Sequence, residues 1–579
     1  MRELLKYLKA YRKESILAPL FKMLEATFEL FIPLVVQQII DVGIGNGDTG
    51  YILRMGGLLV VLGVVGLAAS LTAQYFAAKA SVGFSTSLRN DLFAHINRLS
   101  YAEIDRVGTS TLITRMTSDI NQVQTGLNLF LRLFLRSPFI VFGAMIMAFT
   151  VDVRSALVFV VVIPLLSVVV FGIMLITMPL YKKVQRQLDQ VLLATKENLE
   201  GVRVIRAFNR QEDEKKRFEQ ENSQLVDMQV FVGKISALMN PVTYVIINSG
   251  VIALVWVAGK QVDSGIITQG AVVALVNYMS QILVELIKLA NLIINISKAL
   301  ACAGRVQKVF EEKSSITDPG QDGRTAADGS EPVPKVEFRD VDFCYGGAKE
   351  PSLSGISLKV QPGQTVGVIG GTGSGKSTLV NLIPRFYDVF RGAVLVDGAD
   401  VRQWPLSELR RKVGVVPQRA VLFAGSLREN MKWGRRDATD EEIYQALSIA
   451  QAKEFVDDKG EGLDLHIAQE GKNLSGGQRQ RLTIARALVR QPEILIMDDS
   501  ASALDFATDA KLRKAIREET KGMTVFLVSQ RAATVRSADV IVVLDDGAVA
   551  GIGTHSELIH SCQVYREICL SQLSPEEVE

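Results

Sequence analysis

The sequence predicts a multi-domain chain of two classes: an all-α, membrane-spanning half followed by an α/β half with a parallel sheet. Three observations predict it. The 579 residues are 48% hydrophobic and 22% charged, below the ~25% charge of soluble domains, and mean hydropathy is +0.22. The apolar excess lies almost wholly before residue 300. After residue 334, short apolar strands alternate with helical stretches, the pattern of a parallel α/β sheet. Disordered, collagen-like and disulfide-scaffold chains are excluded. Lys+Arg 64 against Asp+Glu 62 creates no global field for nucleic acid, so none is expected as partner. Cys302, Cys344, Cys562 and Cys569 lack metal-ligand spacing. They fall in the part expected in the cytoplasm and read as reduced thiols.

Residues 1–15 alternate Arg2, Lys6, Lys9, Arg12 and Lys13 with Leu4, Leu5, Leu8 and Tyr11. This is no signal peptide. It reads as an amphipathic helix lying on the inner membrane surface, with a simply solvated helix as the alternative. Residues 16–311 follow as a membrane domain. Apolar stretches at 16–40, 54–78, 129–151, 155–178, 238–258 and 268–297 approach or exceed the ~20 residues that cross a bilayer. Connections 41–53, 152–154 and 259–267 are short; 79–128 and 179–237 are long and charged. Positive charge in the long pair places them and both termini in the cytoplasm. The expected location is the inner or plasma membrane, multi-pass. Leu188, Leu192, Leu193, Leu199, Val202, Ile205 and Phe208 recur near helical spacing, so the spans are expected to continue as helices beyond the bilayer.

Ionisable residues within spans normally face a bundle interior or a wet cavity. Lys22, Glu25 and Glu29 share one face of the first span; Glu285 and Lys288 are three apart in the sixth. For Glu25, Glu29 and Glu285, a polar substrate path and internal pairing that fixes helix packing are equally open. Arg132 and Arg136 read as packing residues, placed at the cytoplasmic interface.

Residues 312–334 are rich in Gly, Pro, Asp and Ser and read as a linker to a domain at 335–579. There the strand Thr365–Ile369 runs into Gly370, Gly371, Thr372, Gly373, Ser374, Gly375, Lys376 and Ser377, with a helix from Thr378. This is a full phosphate-loop pattern in its strand–loop–helix setting. Glycines let backbone N–H groups close around phosphates, and the helix N-terminus adds positive potential. Lys376 is placed to reach the β/γ oxygens, and the Ser377 hydroxyl to bind Mg²⁺. A second strand, Ile494–Met497, ends in Asp498 and Asp499; Asp498 is the expected Mg²⁺ partner. Between them, Leu474, Ser475, Gly476, Gly477 and Gln478 open another helix.

Phosphate loop and Leu-Ser-Gly-Gly-Gln signature in one domain, behind six spans, resemble the ATP-binding cassette (ABC) transporters. The match is to half-transporters with the exporter arrangement and covers essentially the whole chain. The resemblance implies the type I exporter fold and ATP and Mg²⁺ as cofactors. It implies a homologous partner half and two nucleotides, each sandwiched between one chain's phosphate loop and the other's signature. By resemblance, Tyr345 stacks on adenine, and Gln418 is the lid glutamine that senses Mg²⁺. Ser475, Gly476, Gly477 and Gln478 act on the partner's ATP. Ser502–Asp505 looks like the loop facing the partner. Segments 101–119 (Gly108, Arg115, Asp119) and 197–212 (Glu197, Gly201, Phe208) resemble the intracellular loops that press on the cassettes.

Two departures stand out. Where the family has Glu after the strand-end Asp, this chain has Asp499. Where it has His in the switch after the next strand, this chain has Gln530. Asp is one methylene shorter, and misplacing a catalytic group on that scale can cost ~10²-fold. Gln can donate a hydrogen bond to a γ-phosphate but carries no charge. The chain therefore resembles the degenerate-site subunit of bacterial heterodimeric multidrug exporters: it is expected to bind ATP, hydrolyse it weakly and lend its signature to a partner. A homodimeric slow exporter and an ATP-binding regulatory or gating membrane subunit are the alternatives. Amphipathic drugs, lipids and peptides suit the apolar bundle equally. A leader-peptide exporter is disfavoured because no peptidase domain precedes the spans.

Overall fold

The computed structural model describes residues 4–320, 333–346, 348, 350–500, 504–520 and 522–573. Ser502, Ala503 and linker residues 321–332 lie outside the described residues. The chain forms two units, Met1–Asn97 with Thr109–Glu311, and Arg98–Gly108 with Glu312–Glu579.

The first unit is all helix, with six candidate membrane spans: Leu4–Ile44, Thr49–Ile96, Thr109–Val151, Val153–Glu200, Gln211–Asp263 and Gln269–Glu311. A helix of 48 residues, such as Thr49–Ile96, is about 72 Å long at 1.5 Å per residue. The hydrocarbon core is only ~30 Å thick. The long charged connections are therefore mostly helix continuing out of the spans. The basic N-terminus forms a 3-10 helix, Leu4–Tyr11, and Tyr11 leaves helical backbone (φ −114°, ψ 32°) before the helix Arg12–Gln38 begins. Small residues let the helices approach closely, as expected where lipid supplies no hydrophobic drive. Ala18, Ala77 and Ala80 are fully buried, and a Cβ on Gly143 would sit 2.5 Å from Leu30.

The second unit is α/β. Its six-stranded sheet runs Ala548–Gly553, Val540–Asp545, Thr365–Gly370, Thr524–Val528, Ile494–Asp498 and Val413–Val416. All pairings are parallel except the first, where Ala548–Gly553 closes the edge antiparallel. The middle strands are buried along their whole length, as for strands covered on both faces. A four-stranded antiparallel sheet packs against this one through Val336, Phe338, Val394 and Trp404.

The short helix Tyr101–Val107, placed by sequence in the membrane domain, clusters with the α/β unit instead. The cause is aromatic packing that no local pattern announces. The Tyr101 ring lies 4.7 Å from Phe386, and Tyr387 Oη donates to Asp105 Oδ2 at 2.7 Å.

Candidate nucleotide-binding site

Three adjacent parallel strands end at one edge, where ligands bind in open α/β sheets. Thr365–Gly370 delivers the phosphate loop, Ile494–Asp498 the two acids and Thr524–Val528 the switch. In register, Val528 pairs with both Val368 and Asp498. The phosphate loop, Asp498, Asp499, Val528 and Gln530, with Tyr345, Ser352 and Gln418, line a cleft of about 350 Å³.

The loop turns through left-handed backbone at Gly373 (φ 85°) and Gly375 (φ 91°), which glycine adopts without steric cost. At Gly375 a Cβ would also meet Leu353 Cδ2 at 2.7 Å and Ser352 O at 2.8 Å. The helix Lys376–Leu382 starts at once. Lys376 is 8% exposed; its Nζ donates to Gly371 O at 2.6 Å and Gly370 O at 3.0 Å. Burial pushes its ammonium down, and Asp499 and Asp498 pull it back up. A buried cation held by loop carbonyls and, at 3.5 Å, by Ser374 Oγ is suited to an incoming phosphate. Ser377 Oγ donates to Asp498 Oδ1 at 2.8 Å. Burial, then the neighbouring charge of Asp499, raises the Asp498 carboxyl, against the Ser377 hydrogen bond. A cation relieves that strain. One hydroxyl and one carboxylate, completed by phosphate oxygens and water, fit Mg²⁺.

Five contacts were not foreseen from sequence. Tyr345 Oη meets Thr378 Oγ1 at 3.1 Å, and its ring packs edge-on to Phe343 and Tyr387 at 4.8 and 5.3 Å. Gln418 Nε2 donates to Asp499 Oδ2 at 3.3 Å. Asp499 itself adopts φ 44°, the left-handed region that Asp tolerates better than most residues. Gln530 is exposed at the cleft, and its carbonyl accepts from Gln572 Nε2 at 2.8 Å.

The signature lies apart from this cleft. Ser475 caps the helix Gly476–Val489 in a capping box with Gln478. Gln478 N donates to Ser475 Oγ at 3.2 Å, and Ser475 N to Gln478 Oε1 at 2.9 Å. Leu474 is buried and anchors the turn, whereas Ser475 and Gly476 are exposed. The first-turn amides point outward with the positive end of a 14-residue helix dipole behind them. Further on, Asp505 caps the helix Phe506–Glu519.

In the membrane unit, Arg136 is held by internal pairing, as a packing residue would be. It is 6% exposed, and its guanidinium donates to Glu285 Oε1 and Glu29 Oε2, each at 2.6 Å. Ser137 and Lys288 also donate to Glu285, each at 2.8 Å. Lys22 pairs with Glu25 at 2.5 Å. Glu29, Arg136 and Glu285 lie about 22–24 Å along their helices from Ile44, Val151 and Gln269. Glu285 is thus consumed by pairing, whereas the Glu29 side chain keeps 37% exposure.

Comparison with known proteins fixes the family. Residues 15–286 match the ABC transporter transmembrane region and residues 353–502 match the ABC transporter family. The chain is 36% identical to an uncharacterised ABC transporter ATP-binding protein of Mycobacterium tuberculosis, over 98% of this chain and 97% of the relative. The chain belongs to the ABC transporter family. This half-transporter is also 30% identical to the ATP-dependent lipid A-core flippase of Salmonella paratyphi A, over 96% of the chain and 95% of the relative. Its fold is similar to that of a bacterial Atm1-family ABC exporter with ATP bound (TM-score 0.79, 23% identity, 97% and 98% coverage). It is a multi-pass, ATP-driven exporter half-transporter whose ATPase domain indicates ATP hydrolysis coupled to transport.

Proposed function

We propose that this half-transporter is the weakly hydrolysing member of a heterodimer: it holds MgATP at its own phosphate loop and lends its signature to a homologous partner's ATP. The observation that carries this reading is the pairing of Asp499 with the Gln418 amide. The short carboxylate stands where the family's water-orienting glutamate belongs, and Gln530 faces it without a titratable group. The nucleotide-holding parts are complete. Lys376 would meet the β/γ oxygens and Tyr345 the adenine. Ser377 and Asp498, with Gln418 nearby, would hold Mg²⁺, which neutralises phosphate charge. Ser475, Gly476, Gly477 and Gln478 would meet the γ-phosphate of the partner's nucleotide.

The termini and long helical extensions face the cytoplasm in this reading, following their positive charge. The cargo is amphipathic or lipid-like, a class in keeping with the apolar bundle and with the lipid A-core flippase likeness. Ionic pairing accounts for Glu285 and Glu25; Glu29 is the candidate for the cargo path. Glu29→Gln should change relative transport rates among amphipathic cargoes in proteoliposomes. Glu285→Gln should instead lower assembly yield, because loss of a buried ionic partner costs about 3–5 kcal/mol.

The direct test is ATPase activity of the purified chain with and without its partner. The chain alone should bind MgATP and turn over little. Vigorous transport-coupled hydrolysis by this chain alone would establish the homodimer instead. ATP binding without transport in the assembled pair would establish a regulatory subunit.

A further inference from the structure

The switch segment after Thr524–Val528 must satisfy its backbone polar groups like any other partly buried turn. Ser529 N donates to Val368 O at 3.0 Å. Arg531 N donates to Ser529 Oγ at 3.0 Å. The two groups flanking Arg531 reach further. Gln572 Oε1 accepts from Ala532 N at 2.8 Å, and Gln572 Nε2 donates to Gln530 O at 2.8 Å. One amide from the end of the chain thus closes a two-point strap over the switch, using its acceptor and its donor together. It arrives there because the helix Gln563–Leu570 is anchored by fully buried Tyr565 and Cys569. The Gln572 side chain itself is exposed, so it adds little to the core.

We propose that Gln572 is a positioning residue for the nucleotide site: its strap fixes the backbone at Gln530 so that the Gln530 side chain is aimed at a γ-phosphate. The proposal rests on the reading of Gln530 given above. Only ATP carries the group that Gln530 would reach, so the strap sets the preference for ATP over ADP rather than nucleotide affinity as a whole.

The test uses the full-length chain in lipid nanodiscs with Mg²⁺, measuring Kd for ATP and for ADP by displacement of a fluorescent nucleotide. Gln530→Ala should lower the ATP-over-ADP preference roughly 10- to 100-fold, the worth of a hydrogen bond to a charged group. Gln572→Ala should lower it roughly threefold to fivefold, with ADP affinity unchanged. The double variant should go no further than Gln530→Ala alone, because the strap acts only through that residue. Gln572→Glu keeps the acceptor for Ala532 and loses the donor for Gln530, and should fall between wild type and Gln572→Ala. Equal weakening of ATP and ADP, or additive effects in the double variant, would overturn the strap. If Gln530→Ala shifts the preference and Gln572→Ala does not, the strap is wrong while the role of Gln530 stands. If Gln530→Ala shifts nothing, the reading of Gln530 fails and the proposal fails with it.

Discussion

The phosphate-loop cleft and the signature turn belong to one α/β unit but are built in opposite ways. In the cleft, the principal phosphate- and metal-facing groups are paired within the chain: Lys376 rests on loop carbonyls, Ser377 on Asp498 and Gln418 on Asp499. The site is concave and closed on itself until a nucleotide displaces these contacts. The signature is convex. Ser475 and Gln478 satisfy each other within the capping box, and the Gly476 and Gly477 amides face outward with nothing of their own chain to bind. The difference teaches that the unit pairs a concave place built to hold a nucleotide with a convex turn built to meet one; in the proposed reading, chemistry is weakened only in the first.

The sharpest way to break this comparison is to damage the convex half. Gly477→Asp or Ser475→Arg puts charge or bulk where a γ-phosphate must dock. Loss of aligned donors at such a centre costs ~10²–10³ in rate, about 2.7–4 kcal/mol. Steady-state ATPase of the reconstituted pair should fall by that factor with assembly intact by size-exclusion chromatography. Next in size is the concave half. Lys376→Ala removes the buried cation and should weaken MgATP binding to the isolated full-length chain by roughly 10- to 100-fold, the worth of a charge-assisted hydrogen bond. Calorimetry or nucleotide-analogue labelling reads this directly; unchanged labelling would refute the phosphate-loop assignment.

Much of this was legible in the sequence because its signals are local. Six apolar stretches, an eight-residue phosphate loop and a five-residue signature each specify their own structure within a short window. The strand-end acids follow from one buried run, Ile494–Met497. What stayed hidden depends on distant partners. That segment 101–119 presses on the α/β unit is implied by resemblance, but not that Asp105 meets Tyr387 across 282 positions. Arg136 reads as a packing residue, but its partners Glu29 and Glu285 lie 107 and 149 positions away. The Gln418–Asp499 contact spans 81 positions, and no periodicity or spacing encodes it.

The central claim is that the two halves serve different sites, and one paired measurement tests it most directly. ATP turnover is compared at saturating ATP in the reconstituted heterodimer carrying Asp499→Asn and in that carrying Gly477→Asp. Asp499→Asn keeps the side-chain length and the Gln418 contact while removing the charge. The account predicts a loss of no more than about threefold for Asp499→Asn, against the ~10²–10³-fold loss for Gly477→Asp. Equal, near-complete loss in both would contradict it: Asp499 would then be a working catalytic base, and the phosphate-loop half would be as competent as its partner's.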